Sequence, residues 1–243
     1  MITSKTNKTV KLIKSLDKKK YRDKNNLFIL EGKKFVDDAL KGDFEIKYIV
    51  TREKYSGEYK NALVVSDDIF DYISTTKSPQ GVLAVISIEY GDKDEIDDSA
   101  NILYLDNVQD SENVGGLIRT AVCADFDAVV ISEGCASPFS AKSMRASAGS
   151  ILSIKILKDE NYDLLRELKD RGFDVTAATL EGSPNSEFNR QGNVLIVGNE
   201  GNGVSRECLR YATKEVKIPM SGKCESLNAN VSGSILMYKI YGY

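Results

Sequence analysis

The chain has 243 residues, 42% of them hydrophobic and 28% charged, which fits a globular protein of one large domain or two modest ones. It contains no histidine, which excludes Ser-His-Asp triads, Cys-His dyads and the usual neutral-pH proton shuttle. The cysteines lie far apart without a C-x-x-C pair, so we expect no disulfide framework and no metal site; they are Cys123, Cys135, Cys208 and Cys224. The sequence has no apolar run of about 18 residues and no secretory signal, so we predict a cytoplasmic protein without a membrane span.

The formal net charge of −3 conceals a strong asymmetry. Residues 1–34 hold 11 Lys or Arg and three Asp or Glu, a local net charge of +8, which leaves −11 for the rest of the chain. A block of positive charge favours nucleic-acid binding through neutralised phosphates. A solvated helix face explains the same charges equally well, so charge alone leaves both interpretations open.

The first 90 residues or so predict a small α/β domain. Residues 5–20 carry apolar side chains at roughly helical spacing, which predicts one helix; they are Val10, Leu12, Ile13 and Leu16. Further helices are predicted over 32–41 and 67–76. The predicted strands are LFILEG, EIKYIV, ALVVS and GVLAVISIE.

The acidic segment YGDKDEIDDS, near residues 90–99, is nearly free of apolar residues and predicts a boundary between domains over 1–92 and 99–243. Beyond it, apolar runs alternate with predicted helices, the pattern of a parallel sheet. The runs are NILYLD, AVVIS, ILSIKIL, FDVTAA, NVLIVG and KEVKIP. The predicted helices span 113–124, 140–149, 159–171, 203–211 and 226–241.

Three segments of the second domain carry candidate functional residues. In the first, NVGGLIR (113–119), a polar turn leads into an apolar helix. Asn113 then lies near the helix start and Arg119 about two turns in. A helix-capping asparagine and a surface arginine would give the same pattern.

The second segment, VGNEGNGVS (197–205), follows a buried-strand pattern and has three glycines, which let a backbone approach a ligand closely. It is not a Rossmann fingerprint, because Glu200 stands where the third residue of G-x-G-x-x-G must be glycine. No G-K-[ST] follows for a P-loop. The alternative is a tight strand-to-helix turn with a solvated Glu200.

The third segment, IPMSGKCESLN (218–228), leads into the last predicted helix. Ser226 is a candidate cap for that helix, with Asn228 exposed in its first turn. The helix has small residues on one side, which predicts close approach of another backbone, in the same chain or in a partner; they are Ala229, Ser232 and Gly233.

In this order and spacing, the three segments resemble the motifs of the SpoU (TrmH) family of SPOUT methyltransferases. PFSAKSMRASAG (138–149) is similar to the segment between the first and second motifs, and ILEGKKFVDDAL and TTKSPQGVLAVIS resemble the family's N-terminal substrate-binding domain. The resemblance covers about residues 5–241. One departure is Asn230: after SLN the family often continues VSVA, whereas this chain has ANVS.

The resemblance implies an α/β fold with a C-terminal parallel-sheet SPOUT domain that has a deep trefoil knot, preceded by a small L30e-like α/β domain that binds substrate. It implies S-adenosylmethionine-dependent methylation of a ribose 2′-hydroxyl in RNA, by a homodimer that needs no metal. The separate first domain favours ribosomal RNA over tRNA. The implied catalytic residues are Asn113, Arg119, Glu200, Ser226 and Asn228. The implied cofactor-binding residues are Gly198, Asn199, Gly203, Ile218, Met220 and Leu227.

The resemblance implicates Arg119 in activating the ribose oxygen, either as a base assisted by substrate phosphate or by stabilising the developing alkoxide. The second role is favoured, because arginine normally stays protonated. A tRNA 2′-O-methyltransferase and a non-catalytic RNA-binding or ribosome-assembly protein on the same fold remain alternatives, the latter because of Asn230. A nicotinamide-dependent oxidoreductase is disfavoured, since its fingerprint is missing and the glycine-rich turn comes late in the chain.

Overall fold

The computed structural model describes residues 1–184 and 187–243, which divide by their contacts into two compact units. The first comprises Met1–Glu89 and Phe139–Met144, and the second comprises Tyr90–Pro138 and Arg145–Tyr243. Phe139–Met144, which lies within the second predicted domain, therefore belongs by its contacts to the first unit. No helix in the described ranges has the length and apolar character that a bilayer crossing requires.

A mixed four-stranded sheet forms the centre of the first unit. Its strands are Leu27–Glu31 (β1), Ile46–Arg52 (β2), Leu63–Val65 (β3) and Val82–Ser87 (β4). The order is β1-β4-β2-β3, with β4 antiparallel to β1 and β2 and with β3 parallel to β2. Helices of this region are Lys8–Ser15 (α1), Lys19–Asn25 (α2), Lys33–Ala39 (α3) and Asp67–Ile73 (α4). The predicted strands are thus confirmed.

The prediction of one helix over residues 5–20 is wrong, because the chain turns after α1 and starts α2. The buried Arg22 guanidinium causes this turn by donating to the carbonyl oxygens of Leu16 at 2.9 Å and Asp17 at 2.8 Å. These carbonyls lie at the end of α1, where helical partners are missing. The apolar face of α1 packs with α4 and the sheet in one core that includes Val10, Ile13, Ile69, Phe70 and Val85.

The second unit contains, among its described residues, a six-stranded sheet in which every pairing is parallel. Its strands are Ile102–Leu105 (β5), Ala128–Ser132 (β6), Lys155–Asp159 (β7), Asp174–Ser183 (β8), Asn193–Val197 (β9) and Lys214–Val216 (β10). The order is β10-β8-β9-β5-β6-β7. The other helices are Ser111–Cys123 (α5), Ala141–Ala146 (α6), Asp163–Asp170 (α7), Arg206–Leu209 (α8) and Ala229–Tyr241 (α9).

Several predicted bounds in this unit are wrong for local reasons. The strand expected from residue 151 begins at Lys155, because Ser150–Ser153 form a 3-10 turn. The helix expected from residue 159 begins at Asp163, since Asp159 ends β7 and its carboxylate accepts from backbone N–H groups of α7 at 2.9 and 3.0 Å. The helix expected over 203–211 is reduced to Arg206–Leu209.

The last helix packs closely against α5. A Cβ at Gly233 would overlap the Leu117 side chain and lie 3.0 Å from that of Val197, so the small residue serves contacts within the chain. The next residue of α9, Ser234, has its hydroxyl 2.9 Å from that of Thr120 on α5. The close approach at Gly233 is therefore made by side chains of α5 and β9 in the same chain, whereas the prediction was the approach of another backbone.

Candidate functional site

The candidate site lies at the carboxyl ends of β5 and β9. These strands are neighbours in the parallel sheet, so the turns that follow them meet at one edge. The turn after β5 leads into α5 and contains Gln109 and Asp110, while the turn after β9 contains Glu200. This edge brings the first and second candidate segments together.

The Glu200 carboxylate is the centre of this arrangement. It accepts backbone N–H groups from Gln109 at 3.2 Å and Asp110 at 3.0 Å, and the Asn113 side-chain amide at 2.9 Å. The carbonyl oxygen of the Asn113 side chain in turn accepts the Asn228 side-chain amide at 3.0 Å. Residues from all three candidate segments are thereby joined in one directed chain of hydrogen bonds from Asn228 through Asn113 to Glu200.

These contacts determine the protonation of Glu200. Partial burial by itself raises the pKa of a carboxyl group, but the Asn113 amide and the backbone donors outweigh it and hold the pKa of Glu200 below its ordinary value. Glu200 is therefore a carboxylate at neutral pH and a weak base. Its hydrogen bonds hold the Asn113 side chain and the turn before α5 in place.

The glycine-rich turn after β9 closes on itself. The backbones of Asn199 and Gly203 exchange two hydrogen bonds of 2.9 Å, and the Asn199 side chain accepts the N–H groups of Gly201 and Asn202 at 3.0 and 3.1 Å. A Cβ at Gly198 would overlap the backbone of this turn. Gly203 has a φ of +68° with open space where a Cβ would lie, so glycine is needed there for conformation.

A buried carboxylate stabilises the end of the same glycine-rich turn. Asp106, fully buried at the end of β5, accepts the Ser205 N–H at 2.6 Å and the Tyr162 hydroxyl at 3.1 Å. The Tyr162 hydroxyl is also 3.0 Å from the Ser205 hydroxyl, and burial raises the pKa of Tyr162 to about 12. Asp106 thus links the end of β5 to the residue that caps α8.

Other predicted site residues lie outside the hydrogen-bonded group of Glu200, Asn113 and Asn228, which we call the Glu200 cluster. Arg119 is exposed on α5 and makes no hydrogen bond or ion pair with any described residue. Four more lie in the segment before α9. Ile218 is half-buried, and Met220, Ser226 and Leu227 are exposed. None of the four has a side-chain hydrogen bond to the cluster within the described ranges.

The alternative interpretations of Asn113 and Ser226 as helix caps are both wrong. The cap of α5 is Asp110, which accepts from the N–H groups of Glu112 at 2.6 Å and Asn113 at 3.2 Å, so Asn113 is left for Glu200. The cap of α9 is Asn228, not Ser226.

Asp106 and Asp110 were not identified from the sequence, although an acidic residue at the end of an apolar run and an Asp before a helix are both recognisable in a sequence. The described residues hold no cluster of His, Cys, Asp and Glu that fits a metal ion.

Comparison with known proteins identifies a family whose sequence profile matches this chain. The sequence profile of the SpoU rRNA methylase family matches residues 100–238, and that of the MRM3-like substrate binding domain matches residues 7–84. The 23S rRNA (guanosine(2553)-2′-O)-methyltransferase RlmP of Bacillus subtilis is 34% identical over 99% of this chain and 99% of its own length.

Solved structures agree in fold. An rRNA methyltransferase from Sinorhizobium meliloti, crystallised with S-adenosylmethionine bound, is 30% identical with a TM-score of 0.90, covering 98% of this chain and 96% of that one. The SpoU methyltransferase AviRb from Streptomyces viridochromogenes has a TM-score of 0.84 at 18% identity, over 97% of this chain and 96% of its own. The second comparison shows the fold alone.

The first prediction concerns the pH dependence of stability. The pKa of Glu200 is lower in the folded state than in the unfolded chain. Its carboxylate therefore stabilises the fold at pH values above the ordinary pKa of glutamate, and this stabilisation is lost as the pH falls toward the folded-state pKa. Urea unfolding should show Glu200→Gln less stable than the parent at pH 7, with the difference narrowing near pH 4. The control is Glu133→Gln, an exposed carboxylate without a side-chain hydrogen bond in the described chain. A Glu200→Gln deficit independent of pH would contradict the assignment.

Proposed function

The chain belongs to the SpoU rRNA methylase family, and we propose that it transfers the methyl group of S-adenosylmethionine to a ribose 2′-hydroxyl of ribosomal RNA. The observation that carries the proposal is the hydrogen-bonded chain Asn228–Asn113–Glu200, which joins the three family motifs at one sheet edge. A protein that had kept only the fold would have no need to keep this arrangement. The proposal includes a cytoplasmic location, as suits an enzyme that acts on ribosomal RNA.

The residues present fit the cofactor. Gly203 has open space beside it, and Met220 and Leu227 offer exposed apolar surface in the segment before α9. In the proposal, the turn of Gly198, Asn199 and Gly203 and the segment of Ile218, Met220 and Leu227 hold S-adenosylmethionine. When bound, the cofactor supplies a methyl group already activated by the sulfonium charge.

The protein's own task is then to activate and position the ribose oxygen. A 2′-hydroxyl becomes a good nucleophile only as its O–H bond breaks. Arg119, exposed and without a partner in the described chain, is free to approach that oxygen and stabilise its developing negative charge, while the proton passes to water. The groups around the ribose oxygen are oriented by Asn113, Asn228 and Ser226. Glu200 holds the Asn113 side chain in place.

The proposal assigns RNA binding to residues 1–92 and catalysis to residues 99–243. The substrate-binding-domain match over 7–84 and the +8 charge of residues 1–34 support the first assignment. It also includes an L30e-like first domain and a deep trefoil knot in the second, a rare exception to the rule against threaded chains. The path of α9 supports the knot. This helix follows β10, which lies at the edge of the sheet, yet it packs against β9 in the interior of the sheet and against α5.

A homodimer completes the proposal. Three side chains spaced four and three residues apart on α9 are exposed and apolar or aromatic: Val231 at 44%, Ile235 at 40% and Tyr238 at 38%. This spacing places them on one helix face. A continuous exposed apolar face on an otherwise packed helix is typical of a subunit interface.

A direct assay tests the reaction. The full chain is incubated with methyl-labelled S-adenosylmethionine and ribosomal RNA from cells that lack the modification. We expect label in alkali-resistant dinucleotides, since 2′-O-methylation blocks cleavage at the modified linkage. The same assay with tRNA tests the alternative substrate. Label recovered on a base, or in tRNA alone, would refute the proposal.

Arg119 gives the sharpest prediction. Arg119→Ala should leave S-adenosylmethionine affinity within a few-fold of the parent and lower turnover by roughly a hundredfold or more, the scale of losing a preorganised electrostatic group. Arg119→Lys should also be poor, since an ammonium does not reproduce the planar fork of guanidinium. Arg210→Ala, on an exposed arginine beyond α8, is the control. Near-parent methylation by folded, saturated Arg119→Ala would rule out the role.

The glycine-rich turn allows a matched pair of variants. Gly198→Ala should abolish most cofactor binding, because its Cβ would overlap the backbone of Gly203 and Val204 and open the turn. Gly201→Ala lies in the same turn, but its Cβ would be 3.7 Å from the nearest atom, the Asn199 side-chain oxygen. Isothermal titration with S-adenosylmethionine should therefore separate the two variants by at least about tenfold in Kd. Equal affinities would mean that this turn does not hold the cofactor.

The dimer is tested at the middle of the α9 face. Ile235→Asp should convert a dimer to a monomer at micromolar concentration, because a carboxylate buried in an apolar interface lacks a partner. Leu40→Asp, at an exposed aliphatic side chain outside α9, should leave the dimer intact. Light scattering measures both. A dimer that persists in Ile235→Asp would place the interface elsewhere.

A further inference from the structure

A cleft of about 930 Å³ opens in the first unit between the N-terminal segment and α4. It is lined by Thr3, Ser4, Lys5, Ser66, Asp68 and Tyr72, among others. The N-terminal segment is fixed in place, because Ile2 pairs with Val65 in a parallel bridge along β3. The cleft is open to solvent, so an extended ligand has access to it.

Two lysines meet at one aromatic ring of this cleft. The ammonium nitrogen of Lys5 lies 5.0 Å from the centroid of the Tyr72 ring, and that of Lys14 lies 5.3 Å from the same centroid. Both distances are within the roughly 6 Å over which a ring attracts a cation. The Tyr72 ring therefore has the ammonium groups of two lysines within cation–π distance.

These two ammonium groups lack the acidic partners that neighbouring lysines have. Lys33 is paired with Glu58 at 2.8 Å, and Lys19 is paired with Asp23 at 3.1 Å. Within residues 1–184 and 187–243, no carboxylate comes within ion-pair distance of Lys5 or Lys14. An anion bound beside this ring would meet positive charge that no carboxylate of the described chain neutralises.

Building on the proposed function, we propose that Lys5, Lys14 and Tyr72 form a subsite for a backbone phosphate of the RNA substrate. Hydroxyls of the cleft, from Thr3 and Ser66, are of the kind that add contacts to phosphate and sugar. A phosphodiester of single-stranded RNA fits better than a lone anion, because the cleft lined by Lys5 and Tyr72 is larger than a phosphate group needs and leaves room for sugar and base.

The acidic residues of the cleft are consistent with a nucleotide. The guanidinium of Arg52 bridges Asp71 and Asp67, so its one positive charge offsets part of the negative charge of these two carboxylates. Asp68 has no partner among the described residues, so its carboxylate is available to a donor of the ligand. Base amino groups and the ribose 2′-hydroxyl are such donors.

The test compares two double variants with the same change in charge. Lys5→Gln with Lys14→Gln removes the proposed subsite, and Lys8→Gln with Lys11→Gln removes two other lysines of the N-terminal region that have no acidic partner in the described chain. Binding of unmodified ribosomal RNA by the full chain is measured over a range of salt. We expect the subsite variant to weaken binding by roughly tenfold and to lower the magnitude of the salt slope by about 0.7 to 1, with a much smaller effect from the control.

Equal losses in the two double variants would overturn the subsite and leave a diffuse electrostatic surface. Tyr72→Leu keeps apolar packing but removes the π face, so it should also weaken RNA binding while thermal unfolding stays near the parent. Unchanged RNA binding by folded Tyr72→Leu would likewise overturn the proposal. Inorganic phosphate and duplex DNA serve as competitors, and competition by phosphate alone at millimolar concentration would show an anion site without an RNA preference.

Failure of the subsite and failure of the proposed function give different results. If all variants bind RNA like the parent and the parent methylates ribosomal RNA, the subsite is wrong and the proposed function stands. If the parent neither binds nor methylates ribosomal RNA, the proposed function is wrong. S-adenosylmethionine affinity should not change in either double variant, which confirms that the second unit is intact.

Discussion

The arrangement of the second unit's loops depends on the hydrogen bonds to one carboxylate, that of Glu200. Two backbone N–H groups and the Asn113 amide converge on it, and Asn228 follows through Asn113. Because each amide donates with its nitrogen and accepts with its oxygen, the chain has a fixed direction from the last helix to the acid. Aspartate at 113 would replace the donor to Glu200 by a second negative charge, which explains why an amide is needed there.

The sequence predicts what depends on periodicity and fails where long-range contacts decide. Alternating apolar runs locate the strands of both sheets, because buried strands leave continuous apolar segments whatever their neighbours are. The split between α1 and α2 was missed, since it depends on Arg22 turning back to the carbonyls of Leu16 and Asp17. That contact leaves no periodic signal.

The candidate site shows the same division. Spacing placed Asn113 at the start of a helix, but its partner Glu200 is 87 residues away in sequence, and only the parallel pairing of β5 with β9 brings the two together. The family resemblance linked these residues where spacing could not. It did not supply Asp106, whose buried carboxylate fixes Ser205 after the glycine-rich turn.

Asn230, the departure from the family pattern, has a physical explanation in the packing of α5 against α9. Its amide lies over Gly116, where any Cβ would overlap it, and its side-chain oxygen accepts the Ser234 hydroxyl at 3.4 Å. Ser234 also contacts Thr120 at 2.9 Å. A polar seam therefore runs along the two helices beside the Asn228–Asn113 pair, and a polar residue at 230 continues this seam. The substitution leaves the Glu200 cluster intact, because the seam uses none of the donors or acceptors that join Asn228, Asn113 and Glu200.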